Sequence, residues 1–121
     1  MPFRIEAYER LNGDSPFYTF RATLEPKQRA QIDAWIKELQ ERGAYQAPAT
    51  KQVGKVWEVR KPSDFRVYFF WDAGNRLYVL LNGHRKQGKS KQTSAIRRAE
   101  QLRIECEDRV RRKERPWKTD T

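Results

Sequence analysis

An α+β fold is what this sequence predicts, and three observations predict it. Between Val56 and Lys91 three apolar runs alternate and are joined by short turns, which is the pattern of an antiparallel meander. Ile32, Trp35, Ile36 and Leu39 recur at helical spacing upstream, and Ile96, Ala99, Leu102, Cys106 and Val110 do so downstream. The 121 residues suffice for one domain with a modest core and are too few for two. The expected architecture is a small antiparallel sheet, made of an N-terminal strand plus the C-terminal meander, packed against two N-terminal helices and a C-terminal helix.

Each element has a local reason. Phe3, Ile5 and Ala7 alternate along a first strand, and Asn12-Gly13-Asp14 supplies the turn that ends it. Ser15-Pro16 reads as an N-cap and first-turn proline opening a short helix through Phe17, Phe20 and Ala22. After Glu25-Pro26 a second helix runs to about Arg42, with Lys27, Gln31, Lys37, Glu38 and Glu41 on its polar face and Gly43 as its stop. Residues 44–54 are polar and contain Pro48, so a surface loop is expected there. In the meander, Phe65, Val67, Phe69 and Trp71 share the face expected to meet the helices, while Arg66, Tyr68 and Phe70 share the other. Asp72-Ala73-Gly74-Asn75 makes a hairpin turn, Leu77, Val79 and Leu81 form the next apolar face, and Asn82-Gly83 closes that strand. The last helix is expected from about Thr93, with Pro116 beyond its end and a frayed basic tail from about residue 113. Trp35, Trp57 and Trp71 read as core residues, and Trp117 has no assigned role.

Charge narrows the partner class. Lys and Arg total 26 against 16 Asp and Glu, a net charge of +10, which points to a polyanion and to nucleic acid first. No run is long and apolar enough to span a bilayer, no basic helix has a bare apolar face, and residues 1–10 contain no signal-peptide core. A cytoplasmic protein without membrane contact is expected. One cysteine, Cys106, and one histidine exclude an internal disulfide and a cysteine-rich zinc site, so neither a metal nor another cofactor is expected. The glycines at 83 and 88 lack P-loop spacing.

Several short motifs in order carry a family resemblance. They are Trp57-Glu58-Val59-Arg60, then Phe65-Arg66-Val67-Tyr68, then Leu80-Leu81-Asn82-Gly83-His84-Arg85-Lys86, then a Lys/Thr-rich turn into a helix with Ile96 and Ala99 in register. From about Phe3 to about Cys106 the chain resembles the RelE/ParE superfamily of toxins from type II toxin-antitoxin systems, in its phage-derived HigB-like branch. The resemblance implies a compact α+β ribonuclease that cuts mRNA on the ribosome without a metal and is held inactive by a cognate antitoxin. The ParE branch implies instead a toxin that binds a protein target such as gyrase without cutting RNA, and a non-catalytic nucleic-acid-binding module is a third reading. Two departures matter. Val56 and Glu58 stand where RelE-like toxins carry lysines, and residues 92–98 contain no counterpart of their C-terminal catalytic tyrosine.

RNA cleavage of this kind requires activation of a ribose 2'-OH, stabilisation of charge on the pentavalent phosphate, and a proton for the leaving 5'-oxygen. Arg66, at the superfamily's central strand arginine, is the first candidate for charge stabilisation, because a guanidinium offers several donors to equatorial oxygens. Arg60 follows, with a salt bridge to Glu58 as the plainer role. His84 is a candidate general acid or base, its neighbouring cations favouring the neutral form, against the plainer role of a hydrogen-bonded strand-end residue. Glu58 is a further candidate base, and pairing with Arg60 or Lys86 its ordinary alternative. Arg85, Lys86, Lys89 and Lys91 are candidate phosphate contacts, the last three in a basic loop after the final strand, and Tyr68 is a candidate for base stacking or proton transfer, with core or rim packing as its plainer role. Arginines along the last helix extend the charge, partly offset by acidic neighbours.

Overall fold

The computed structural model describes residues 2–47, 50–60, 65–86 and 89–118, with the side chains of residues 89–91 excepted. Its elements in chain order are β1 (Arg4–Tyr8), α1 (Pro16–Ala22), α2 (Pro26–Arg42), β2 (Thr50–Val53), β3 (Val56–Val59), β4 (Phe65–Asp72), β5 (Leu77–Arg85), α3 (Lys89–Arg111) and β6 (Trp117–Lys118). The strands form one sheet in the order β2-β3-β4-β5-β1-β6. Its pairings are antiparallel except one, in which β1 runs parallel to β5. From β1 the chain passes through α1 and α2 to β2 at the far edge, and the β2–β5 meander then returns to set β5 parallel beside β1.

Alternation along the strands divides the core in two. Ala7, Trp57, Val59, Phe65, Val67, Phe69, Tyr78 and Leu80 pack under α1 and α2 with Phe17, Phe20, Ile32, Trp35 and Leu39. Tyr8, Val56, Tyr68, Phe70, Leu77, Val79 and Leu81 pack under α3 with Ala99, Leu102 and Cys106. The sheet is thus covered on both faces, and the Arg66-Tyr68-Phe70 face lies under the last helix. Pro26 opens α2 behind a capping box between Glu25 and Gln28, and Gly43 ends it at φ 77°, a conformation that favours glycine.

Four expectations are corrected. The polar stretch assigned to a loop contains β2, an edge strand paired with β3. The tail expected to fray contributes β6, which pairs with β1, and Trp117 packs against the α3-side core; residues 119–121 lie outside the described residues. β5 continues through Gly83 to Arg85, and α3 begins at Lys89, four residues before Thr93, so Lys89 and Lys91 stand in its first turn and not in a loop. Trp35 and Trp57 are buried, but Trp71 is 38% exposed. It lines a cleft of about 600 Å³ with Phe3, Trp57 and Tyr78, away from the site described next.

Candidate nucleic-acid interface

The site is made by an irregularity. Phe69 pairs with Leu80 but Val67 pairs with Gly83, so β5 carries one extra residue opposite Tyr68. Period-two alternation from Leu77, Val79 and Leu81 would put residue 83 on the α3 face and residue 84 on the other. The bulge reverses this. Gly83 turns to the α1 side, where a Cβ would lie 2.4 Å from a Phe20 ring carbon and 2.9 Å from the Arg66 carbonyl. His84 comes into register with Arg66 on the α3 side, its ring stacked on Tyr68 with centroids 5.6 Å apart.

Glu58 is the centre of this arrangement. β3 places it between Trp57 and Val59, its side chain is fully buried, and donors surround it. Arg60 Nε donates to Oε1 at 2.8 Å and Gln92 Nε2, from the first turns of α3, donates to Oε2 at 2.9 Å. The Tyr68 phenol is close enough to feel the charge of the same carboxylate, and Arg66 Nε lies 3.9 Å from Oε1. Burial by itself would raise the Glu58 carboxyl, but the Gln92 and Arg60 donors and the Arg60 charge reverse that and hold it below the ordinary carboxylate range. Burial and the nearby Glu58 charge push the Tyr68 phenol far above its usual value.

The candidate residues are thereby sorted. Arg60, Arg66, Glu58, Tyr68 and His84 come together on one face. The Arg60 side chain is 45% exposed and, among the described residues, pairs with Glu58, so it is the more accessible of the two arginines. Arg66 is packed more closely, its side chain 11% exposed and its Nη1 donating to the Arg60 and Phe65 carbonyls at 3.3 and 3.1 Å. Tyr68 is fully buried, which corrects its candidacy as a base-stacking or RNA-contacting residue: an enclosed ring has no face to offer. Glu58 likewise has no exposed surface and orients the two arginines. Both His84 nitrogens are engaged, Nε2 with Tyr68 Oη at 2.9 Å and Nδ1 with the Arg85 carbonyl at 2.8 Å.

Arg85 does not join this face. It pairs with Phe65 in register, so it points to the α1 side, and its guanidinium donates to the Thr23 carbonyl at the C-terminus of α1 at 3.2 Å. Lys86 is exposed beyond the strand, and the side chains of Lys89 and Lys91 lie outside the described residues. Gln92 is the site residue that sequence reasoning missed, since a neutral amide on a charged helix gives no signal of its own.

The helix arginines are partly structural. Arg103 is buried between Glu100 and Glu107, its contact to Glu100 Oε2 being 2.8 Å. Arg109 is buried against the Tyr8 ring and donates to Glu114 at 2.8 Å and to the Glu9 carbonyl at 2.6 Å, tying α3 to β1. Among the described residues no group of three or more His, Cys, Asp or Glu side chains is placed to hold a metal, and no helix is long and apolar enough to cross a membrane.

Comparison with known proteins places the fold. The family model described as Phage derived protein Gp49-like (DUF891) matches residues 20–103, more than half of the chain. One chain of the crystal structure of the toxin-antitoxin complex RelBE2 from Mycobacterium tuberculosis is similar in fold. It superposes with a TM-score of 0.55 at 12% identity, covering 71% of this chain and 100% of that one. No curated protein sequence matches. The chain belongs to the phage-derived Gp49-like family, and the RelE-type fold that its strand motifs imply is the fold it has.

Proposed function

We propose that the protein is the toxin of a type II toxin-antitoxin pair and acts as a metal-independent endoribonuclease on mRNA at the ribosome, in the cytoplasm, until a cognate antitoxin neutralises it. The observation that carries this reading is the gathering of Arg60 and Arg66 around one buried carboxylate, with His84 in register, on a fold shared with a chain of a toxin-antitoxin complex. Glu58 draws the two guanidinium groups to one buried charge, Arg66 held further by the Arg60 and Phe65 carbonyls, which suits them to stabilise charge on a phosphate. Arg60 meets the phosphate first and Arg66 supports the developing charge from behind it. Lys86, just after β5, and Lys89 and Lys91, in the first turn of α3, add sequence-independent affinity for the RNA backbone.

A second reading is favoured by one observation. Both His84 nitrogens and both Glu58 oxygens are occupied, so proton transfer to RNA requires His84 to leave a partner. A toxin that binds a protein target such as gyrase needs no such step. Induced expression of wild type and Arg66→Ala, with growth followed and mRNA 5' ends mapped, separates the two. Arrest with discrete cuts that the folded variant lacks supports the nuclease. Arrest without cuts supports the protein-target toxin, and no arrest leaves a nucleic-acid-binding module.

A further inference from the structure

At the far end of β4 from Arg66 the sheet is notched. The pairs between β3 and β4 run from Val59 with Val67 to Trp57 with Phe69, whereas β4 continues to Asp72, so Trp71 extends past the pairs that β3 makes. It lies about 17 Å along the strand from Arg66. Phe65, Val67 and Phe69 precede it on the same face and are buried, but Trp71 is part-exposed. Its ring is nonetheless held, with the Tyr78 ring centroid 4.8 Å away and Phe3 meeting it edge-on at 6.0 Å. The cleft of about 600 Å³ beside it is also lined by Tyr45, which is 86% exposed and stands edge-on to Trp57 with centroids 5.0 Å apart. Gly43 makes that placement possible. Its positive φ turns the chain out of α2 where a Cβ would lie 2.9 Å from the Phe3 ring, and the following Ala44 N–H donates to the Tyr78 hydroxyl at 2.9 Å.

Polar groups decide what such an aromatic cleft takes. Lys55 is exposed in the turn between β2 and β3, and Arg42, at the end of α2, is joined to Glu38 by a surface pair that is readily exchanged. The carboxylate on the wall, Glu107, is held by Arg103, and Gln46 and Gln52 add amides that both donate and accept. An apolar side chain of a partner protein would leave these groups unused. A nucleotide engages them together, its base offering a π-face to the rings and a polar edge to the amides while its phosphate answers the cations. We propose that this cleft is a second RNA-binding site, which takes one unpaired nucleotide of a single strand with its base stacked against Trp71 under Tyr45 and its phosphate at Lys55 and Arg42. The cleft makes no contact with the reacting bond. A strand that reaches both it and the Arg60 and Arg66 face gains affinity because the second contact is made within one complex. The choice of RNA among polyanions rests on the function proposed above, whereas the aromatic and cationic lining does not.

The test is binding of a fluorescent single-stranded RNA oligonucleotide whose 2'-O-methyl groups block cleavage through a 2'-OH, measured over a salt series for the full chain and its variants. Trp71→Ala is expected to bind about tenfold more weakly at an unchanged salt slope, the mark of one lost stacked base. Tyr45→Ala, whose ring is too exposed to bear on folding, is expected to weaken binding in the same way and decides the matter if Trp71→Ala does not fold. Lys55→Gln is expected to make the salt slope shallower by about 0.7, the increment of one phosphate contact on a single strand. Wild-type affinity in the folded aromatic variants overturns the site and leaves the cleft to a protein partner. An unchanged slope in Lys55→Gln overturns the position given to the phosphate. Cuts in message, mapped separately, keep this apart from the nuclease: cuts with wild-type RNA affinity in the aromatic variants remove the cleft alone, and weakened binding in those variants without any cuts by wild type removes the nuclease alone.

Discussion

Replacing Glu58 with glutamine removes the charge at the centre of the site while keeping the shape. In the native protein this fully buried side chain accepts from Arg60 at 2.8 Å and from Gln92 at 2.9 Å. Glutamine keeps one accepting oxygen but sets an amide NH₂ against a donor, leaving that donor without a partner. Removing one member of a buried ion pair costs about 3–5 kcal/mol. Arg60 is 45% exposed and can turn into water, so its share is screened, and a loss of about 2–3 kcal/mol at neutral pH is the appropriate figure. The loss has a pH signature. Glu58 is held below the ordinary carboxylate range in the folded state, so its contribution is complete above the unfolded value near ~4.3 and fades as pH falls through the lower folded value. Urea unfolding of wild type and Glu58→Gln at neutral and acidic pH therefore shows a gap that is widest at neutrality and narrows in acid. A gap under about 0.5 kcal/mol at neutral pH, or one that does not narrow in acid, refutes the assignment of Glu58 as the organising charge.

Three further outcomes are expected. Gly83→Ala forces a methyl group against the Phe20 ring and the Arg66 carbonyl, so denaturant unfolding is expected to show a loss of about 1–3 kcal/mol, with the carbonyl unable to yield. Trp35→Ala and Trp57→Ala are each expected to cost about 3–5 kcal/mol in the same assay, whereas the partly exposed Trp71 costs clearly less on truncation. The Cys106 thiol is buried and pushed up to about 12, chiefly by burial, so a thiol reagent at about pH 8 is expected to label it only after unfolding.

The sequence carried the helices, the three meander strands and their facing, because apolar spacing reports which side of an element is buried. It was silent where that signal is weak. β2 is a polar edge strand whose middle residues Lys51 and Gln52 are exposed, so it reads as a loop until its pairing with β3 is known. β6 is two residues long and is held by its pairing with Tyr8 and by the Glu9 amide donating to the Pro116 carbonyl, neither of which leaves a local trace. Strand direction is likewise absent from alternation, which is why the parallel pairing of β1 emerges only from the fold.

The site was legible in part for the same reason. An ionisable residue inside the apolar run Trp57-Glu58-Val59 and an arginine between Phe65 and Val67 both mark groups that need partners, and each found the other. The bulge opposite Tyr68 was not legible, and it decides two assignments at once. It moves His84 onto the Arg66 face and leaves Arg85 on the α1 side, so two adjacent basic residues have different roles.

That division gives the most direct test of the proposed interface. In a purified translation system, cleavage of a defined message is measured for wild type, Arg66→Ala and Arg85→Ala, each first shown to be folded by circular dichroism. Discrete cuts by wild type and Arg85→Ala but not by Arg66→Ala are the predicted result. Cuts that survive in Arg66→Ala, or that vanish only in Arg85→Ala, contradict the assignment of the active face to Arg60, Arg66 and His84.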